Sequence, residues 1–173
     1  MEFLAQYWAG RDVDASRGAM SSFGTALVAI EAWPLSEVIR RSVWAYPALE
    51  TIHIASFATV FGSLMLLELR VFGAAPALPL SPLARLAIPV ALTAFALAAT
   101  AGLLMLISSA TEIVTNPAFQ VKLGLIAIAG GNAWWFHWRG SVARHDGVAK
   151  AQSLLSLLLW ISVITCGRLI AYV

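Results

Sequence analysis

Four apolar stretches dominate the chain, each close to the ~20 residues that a helix needs to cross the hydrocarbon core of a bilayer. They run from about Tyr46 to Glu68, from Leu86 to Ser108, from Pro117 to Trp138, and from Ala151 to the C-terminus. In lipid a backbone must satisfy its own hydrogen bonds, so stretches of this kind are expected to be helices. Of the 173 residues, 60% are hydrophobic and 12% charged, against about 25% charged in a soluble domain. One soluble core of this length cannot hide that much apolar surface. The expected fold is all-α: an integral-membrane antiparallel four-helix bundle over residues 46–173, preceded by an N-terminal tail and amphipathic interfacial helix over 1–45.

The links between the stretches are short, which makes sequential helices antiparallel neighbours. Ala74 to Arg85 holds three prolines and reads as an extended turn rather than a helix. Asn116-Pro117 is a helix-start signal, with Asn as N-cap and Pro at the first helical position. Arg139 to Lys150 is polar and basic, with Gly140 and Gly147 as punctuation. Small residues four apart (Ala58 and Gly62; Ala94, Ala98 and Gly102; Ala127 and Gly131) are expected to be ridges where helices approach closely.

The first 45 residues differ. Met1 to Met20 is mixed polar and lacks the basic start of a signal peptide. Ser22 to Ala32 is apolar but too short to span, and is expected to pack on the bundle or on a partner. From Pro34 to Trp44, Leu35, Val38, Ile39 and Val43 alternate at helical spacing with Ser36, Glu37, Arg40 and Arg41, the pattern of a helix lying in the membrane interface.

Basic residues in short loops favour the cytoplasm. Arg70, Arg85, Arg139, Arg144 and Lys150 fall on one side; Arg40 and Arg41 fall on the other, together with a tail carrying Arg11 and Arg17. The count places both termini outside, periplasmic in a bacterium. Trp134, Trp135 and Trp138 around His137 form an aromatic belt at the inner interface.

An ionisable group deep in a spanning helix is a functional candidate, because placing it there is costly. Glu50 and His53, spaced i and i+3, share a helix face. In the antiparallel order they fall in the outer leaflet with Met105, Ser108, Ser109, Glu112, Lys122, Cys166 and Arg168. The inner half is expected to be nearly pure hydrocarbon. A structural reading makes this cluster an ion-pair network, Glu50 with Arg168 or Lys122. A functional reading makes His53, Glu50, Met105, Lys122 and Arg168 a cofactor site, with His53 as the metal ligand. Haem b held by His53 with Met105, its propionates on Lys122 and Arg168, is one version. A quinone head group on Glu50, His53 and Arg168 is another, and copper on His53, Met105 and Cys166 a less favoured third. Cys166 and Arg168 lie ~200° apart on their helix, so they do not point equally at one centre. His53 and His137 fall in opposite leaflets and cannot sandwich one haem.

Other classes are disfavoured. The net charge of +2, from 11 basic and 9 acidic residues, is too balanced for a nucleic-acid partner. A single cysteine, Cys166, precludes an internal disulfide or a cysteine-cluster metal site. No phosphate-binding glycine loop, HExxH or GxSxG is present, and no catalytic residue is assigned.

Four segments carry a resemblance: YPALETIHI with His53, LLELRVFG closing the first stretch, NPAFQVKLGL opening the third, and GGN with CGRLIAY towards the end. From about Trp44 to the C-terminus the chain resembles an uncharacterised family of small four-helix bacterial inner-membrane proteins. That resemblance implies the fold and the membrane and brings no activity with it. The overall shape is also similar to four-helix membrane b-type cytochromes and copper-resistance membrane domains, although the paired haem histidines of the cytochromes are not reproduced. Two functions are expected. One is a small redox module passing electrons between a periplasmic partner and the membrane pool. The other is a non-catalytic anchor or accessory subunit of a membrane or periplasmic complex.

Overall fold

A computed structural model describes residues 22–144 and 146–172, apart from the side chains of Val142 and Ala143. The expected polar tail, with Arg11 and Arg17, and His145 lie outside the described residues. Within them all regular structure is helical: α1 (Ser22–Glu31), then α2 (Pro34–Arg41), α3 (Ala45–Val71), α4 (Leu80–Ser108), α5 (Ala110–Thr115), α6 (Pro117–Trp138), α7 (Ser141–Arg144) and α8 (Gly147–Leu169). Three of these, α3, α4 and α8, are long and apolar enough to cross a membrane. At 22 residues α6 is nearly as long as the 23-residue α8, but it carries Gln120, Lys122 and Asn132 and is not among those three.

The ends of the helices follow local chemistry. The Asn116 side chain accepts from the amides of Ala118 and Phe119 ahead of Pro117, the cap the dipeptide predicts. Asp146 caps α8 through the Ala149 amide and pairs with Arg139. One expectation is corrected: Leu80 to Arg85 is helical, not extended. Pro82 stands in the first turn of α4, where a missing N–H costs no intrahelical bond. The rest of that link is a turn with Gly73 at φ +104°. Arg70 clasps it by donating to the carbonyls of Leu78 (2.6 Å) and Pro76.

α3 packs along α4, α6 along α8, and α3 also meets α8. The small-residue ridge holds on α4, where Ala84, Ala87, Ala91, Ala94, Ala98 and Ala101 form a buried stripe. The other two ridges do not: Ala58 and Ala127 are exposed, and a Cβ on Gly62 or Gly131 would meet nothing within 4 Å. Mid-height, Val60, Ala94, Ala129, Leu159, Trp160 and Val163 form an apolar layer backed by Phe57, Phe61 and Phe95.

α1 and α2 fold over the end of α4. The Ser36 hydroxyl lies within hydrogen-bond reach of the carbonyls of Ile30 and Ile107. Glu31 accepts from the Thr111 amide and hydroxyl, both at 2.7 Å. Those two donors, the amide first, hold the Glu31 carboxyl below the ordinary carboxylate range. Ile39 is buried on α2, while Leu35 and Val38 remain exposed, as an interfacial helix requires.

Candidate functional site: polar clusters at opposite ends

The antiparallel order brings the start of α3, the end of α4, the start of α6 and the end of α8 to one level, and His53 sits at their centre. Its Nδ1–H donates to the Ala98 carbonyl at 2.7 Å. A carbonyl only accepts, so this contact places a proton on Nδ1, and in the neutral imidazole Nε2 then keeps its lone pair. Lys122 Nζ faces that nitrogen at 3.4 Å. The ammonium also lies 5.2 Å from the Phe57 ring centroid, a cation–π contact. Phe57 in turn meets the His53 ring edge-on at 4.9 Å.

Two glycines make this geometry possible. A Cβ on Gly102 would stand 2.8 Å from His53 Cε1, and one on Gly167 would stand 3.2 Å from Lys122 Nζ. The imidazole and the ammonium therefore lie directly against the backbones of α4 and α8.

Of the five residues expected to share this site, the structure brings together His53 and Lys122. Glu50 is exposed on α3. Arg168 is exposed too, donating to the Tyr172 hydroxyl at 2.9 Å and lying over its ring. Met105 is half-buried one turn beyond Gly102, and its carbonyl accepts from Ser108. The expected ion pairs of Glu50 with Arg168 or Lys122 do not form; among the described residues the ion pairs are Arg41–Glu37 and Arg139–Asp146. Nor does any group of three or more His, Cys, Asp or Glu among the described residues converge on a metal-sized site. Both ring nitrogens of His53 meet protein, Nδ1 at the Ala98 carbonyl and Nε2 at Lys122.

The opposite end corrects the expectation of pure hydrocarbon. Glu68, Asn132 and Gln152, from α3, α6 and α8, are all buried and line one cavity with Ser153, Ser156, Phe136 and His137. Ser156 hydrogen-bonds the Glu68 carboxyl. Asn132 donates to the Gln152 carbonyl at 3.0 Å, and the Gln152 side chain accepts from Ser141 at 2.9 Å. In the sequence Glu68 marks only the end of the first apolar stretch. The missed signal is its depth: fifteen residues beyond His53, ~22 Å at helical rise, it faces the α6 and α8 polar residues from the same end.

Comparison with protein-family models, with curated proteins and with solved structures returned no match.

Proposed function

We propose that the chain is an integral protein of a bacterial inner membrane, with α3, α4, α6 and α8 as four antiparallel spans and both termini periplasmic. We propose further that it is a small redox module that holds a quinone head group at the His53–Lys122 cluster. The observation carrying this reading is the Lys122 ammonium of α6, lodged against α3 and α8 with no carboxylate among the described residues paired to it. A charge so placed calls for a partner of opposite polarity. His53 takes one of its three N–H groups. The others lie near the bare backbone at Gly167, where a carbonyl oxygen can approach.

The chain's own residues then divide the work. His53, its tautomer fixed by Ala98, orients the ammonium, and Lys122 donates to the quinone oxygen and stabilises negative charge that develops there on reduction. A quinone becomes a quinol by gaining two electrons and two protons, and the electrons come from a periplasmic or membrane partner. The anchor or accessory-subunit reading draws on a different feature, the exposed Phe23, Val28 and Trp33 on and beside α1, an apolar surface beyond the spans.

The test is a titration of the detergent-solubilised protein with a short-chain benzoquinone, followed by quenching of tryptophan fluorescence. Saturable binding weakened tenfold or more by Lys122→Met, about 1.4 kcal/mol, is the expected result. Binding that is absent, or unchanged in the variant, overturns the quinone reading and leaves the accessory role. A Soret band in oxidised and reduced spectra returns the assignment to haem.

A further inference from the structure

Three side-chain atoms of residues lining the cavity at the far end of the helices have no hydrogen-bond partner among the described residues: Glu68 Oε2, Asn132 Oδ1 and Gln152 Nε2. Their residues are 6%, 8% and 4% exposed. Native interiors leave few such groups, and here three from three helices line one cavity. Two are acceptors and one is a donor. If Glu68 is ionised, its orphaned oxygen and the Asn132 carbonyl oxygen are both acceptors, and Gln152 Nε2 is the one donor among the three unpartnered atoms. If Glu68 is neutral, its O–H donates towards Asn132, and a water accepting from Gln152 completes the set.

Among the described residues no cation forms an ion pair with the carboxylate. From α3, Arg70 is committed to the carbonyls of Leu78 and Pro76. α4 contributes Leu80 and Ile88 to the lining, with Arg85 exposed. From α6, His137 lines the cavity, its Nδ1 donating to the Ala133 carbonyl at 2.9 Å, while Arg139 beyond it pairs with Asp146. Arg144 of α7 and Lys150 of α8 are exposed. The cavity measures ≈ 70 Å³, room for more than one water at the roughly 10–15 Å³ that each requires. Glu68 stands one turn from the end of α3, so the path to bulk water is ~5 Å of helix.

We propose that this cavity is a hydrated proton-binding site in which the Glu68 carboxyl exchanges a proton with internal water. The acid gives its proton to water, leaving a carboxylate and a hydronium ion that passes to the near aqueous face; uptake reverses the step. Asn132 and Gln152 are positioning residues: the amide oxygen receives the acid O–H and the amide N–H holds the water. The assignment does not depend on what binds at His53.

Infrared difference spectroscopy of the full chain in lipid tests it. At neutral pH an exposed carboxyl is ionised, so a carboxylic C=O band persisting there reports a shielded acid. The expected result is such a band that fades on alkalinisation, is absent in Glu68→Gln, and is displaced in Asn132→Leu, where the acid loses its acceptor. Glu68→Gln is isosteric with the protonated acid. Should it nevertheless fail to fold, the displacement in Asn132→Leu decides. No neutral-pH band in the native chain, an unchanged band in Glu68→Gln, or an undisplaced band in Asn132→Leu overturns the proposal.

Discussion

At Gly102 a single hydrogen in place of a methyl decides where His53 sits. An alanine there would bring its Cβ to 2.8 Å from the ring, and the ring is held by the Ala98 carbonyl and by Lys122. Alanine gains about 1 kcal/mol over glycine in a helix interior, whereas forcing atoms into a packed site costs about 1–3 kcal/mol. Gly102→Ala should therefore lower the melting temperature and weaken whatever the cluster binds. Gly124→Ala, where a Cβ meets nothing within 4 Å, should be neutral or stabilising. Equal effects at the two positions would show that His53 is free to move. The same scale explains which site residues were legible. His53 and Lys122 stand out as ionisable groups inside apolar runs, and both turn inward. Glu50 shares the stretch of His53, but helical side chains lean towards the N-terminus, and so near the start of α3 that direction leads out of the bundle. Arg168 faces away because Cys166, ~200° from it around the helix, and Gly167 take the side towards Lys122.

Among the elements, α4 shows what pattern reading recovers and what it leaves open. Its alanine stripe was legible from four-residue spacing, while the matching ridges on α3 and α6 had the same spacing and proved exposed. Spacing alone does not say which face of an apolar helix meets protein and which meets lipid, since both are hydrophobic. Ala98 is fully buried whereas neighbouring Leu97 is 57% exposed. Ala98→Leu should thus destabilise by about 1–3 kcal/mol by overpacking, and Leu97→Ala should cost far less; comparable melting shifts would contradict the packing of α3 on α4. At the start of α8, Arg139 first and the Ala149 amide second hold the Asp146 carboxyl at about 2. A depressed carboxylate stabilises the fold above its unfolded pKa of about 3.9, and that contribution is lost as pH falls from there through about 2. Hydrogen exchange in the first turn of α8 should accordingly rise across that window. Asp146→Asn, which keeps the cap acceptor but not the charge, should flatten the response. A native chain with no rise would contradict the pairing.

For the molecule as a whole, the order of helices was written in the sequence and their register was not. Periodicity placed the two end-level clusters on separate helices, and only antiparallel packing turned Glu68, Asn132 and Gln152 into one group. The apolar layer of Val60, Leu159, Trp160 and Val163 separates them from His53, so the molecule is polar inside at both ends and dry between. This arrangement bears on α6, the long helix that falls outside the set apolar enough to span. Lys122 and Asn132 discourage its insertion alone, yet each has one partner inside the bundle, His53 for Lys122 and the Gln152 carbonyl for Asn132. At 22 residues α6 is ~33 Å long, sufficient to cross beside α8. If it crosses, Ala77 and Arg144 share one aqueous face, and Thr115 and Tyr172 share the other. Single cysteines at these four exposed positions, introduced with Cys166 replaced by serine, should react with a membrane-impermeant maleimide in two pairs, Thr115 with Tyr172 from the periplasm and Ala77 with Arg144 only after permeabilisation. Labelling of positions 115 and 144 from the same side would mean that α6 does not span, and would separate the His53 and Glu68 levels from opposite faces of the membrane. The reversed pairing would keep four spans but place Glu68 near the periplasm, and with it the water that exchanges protons there.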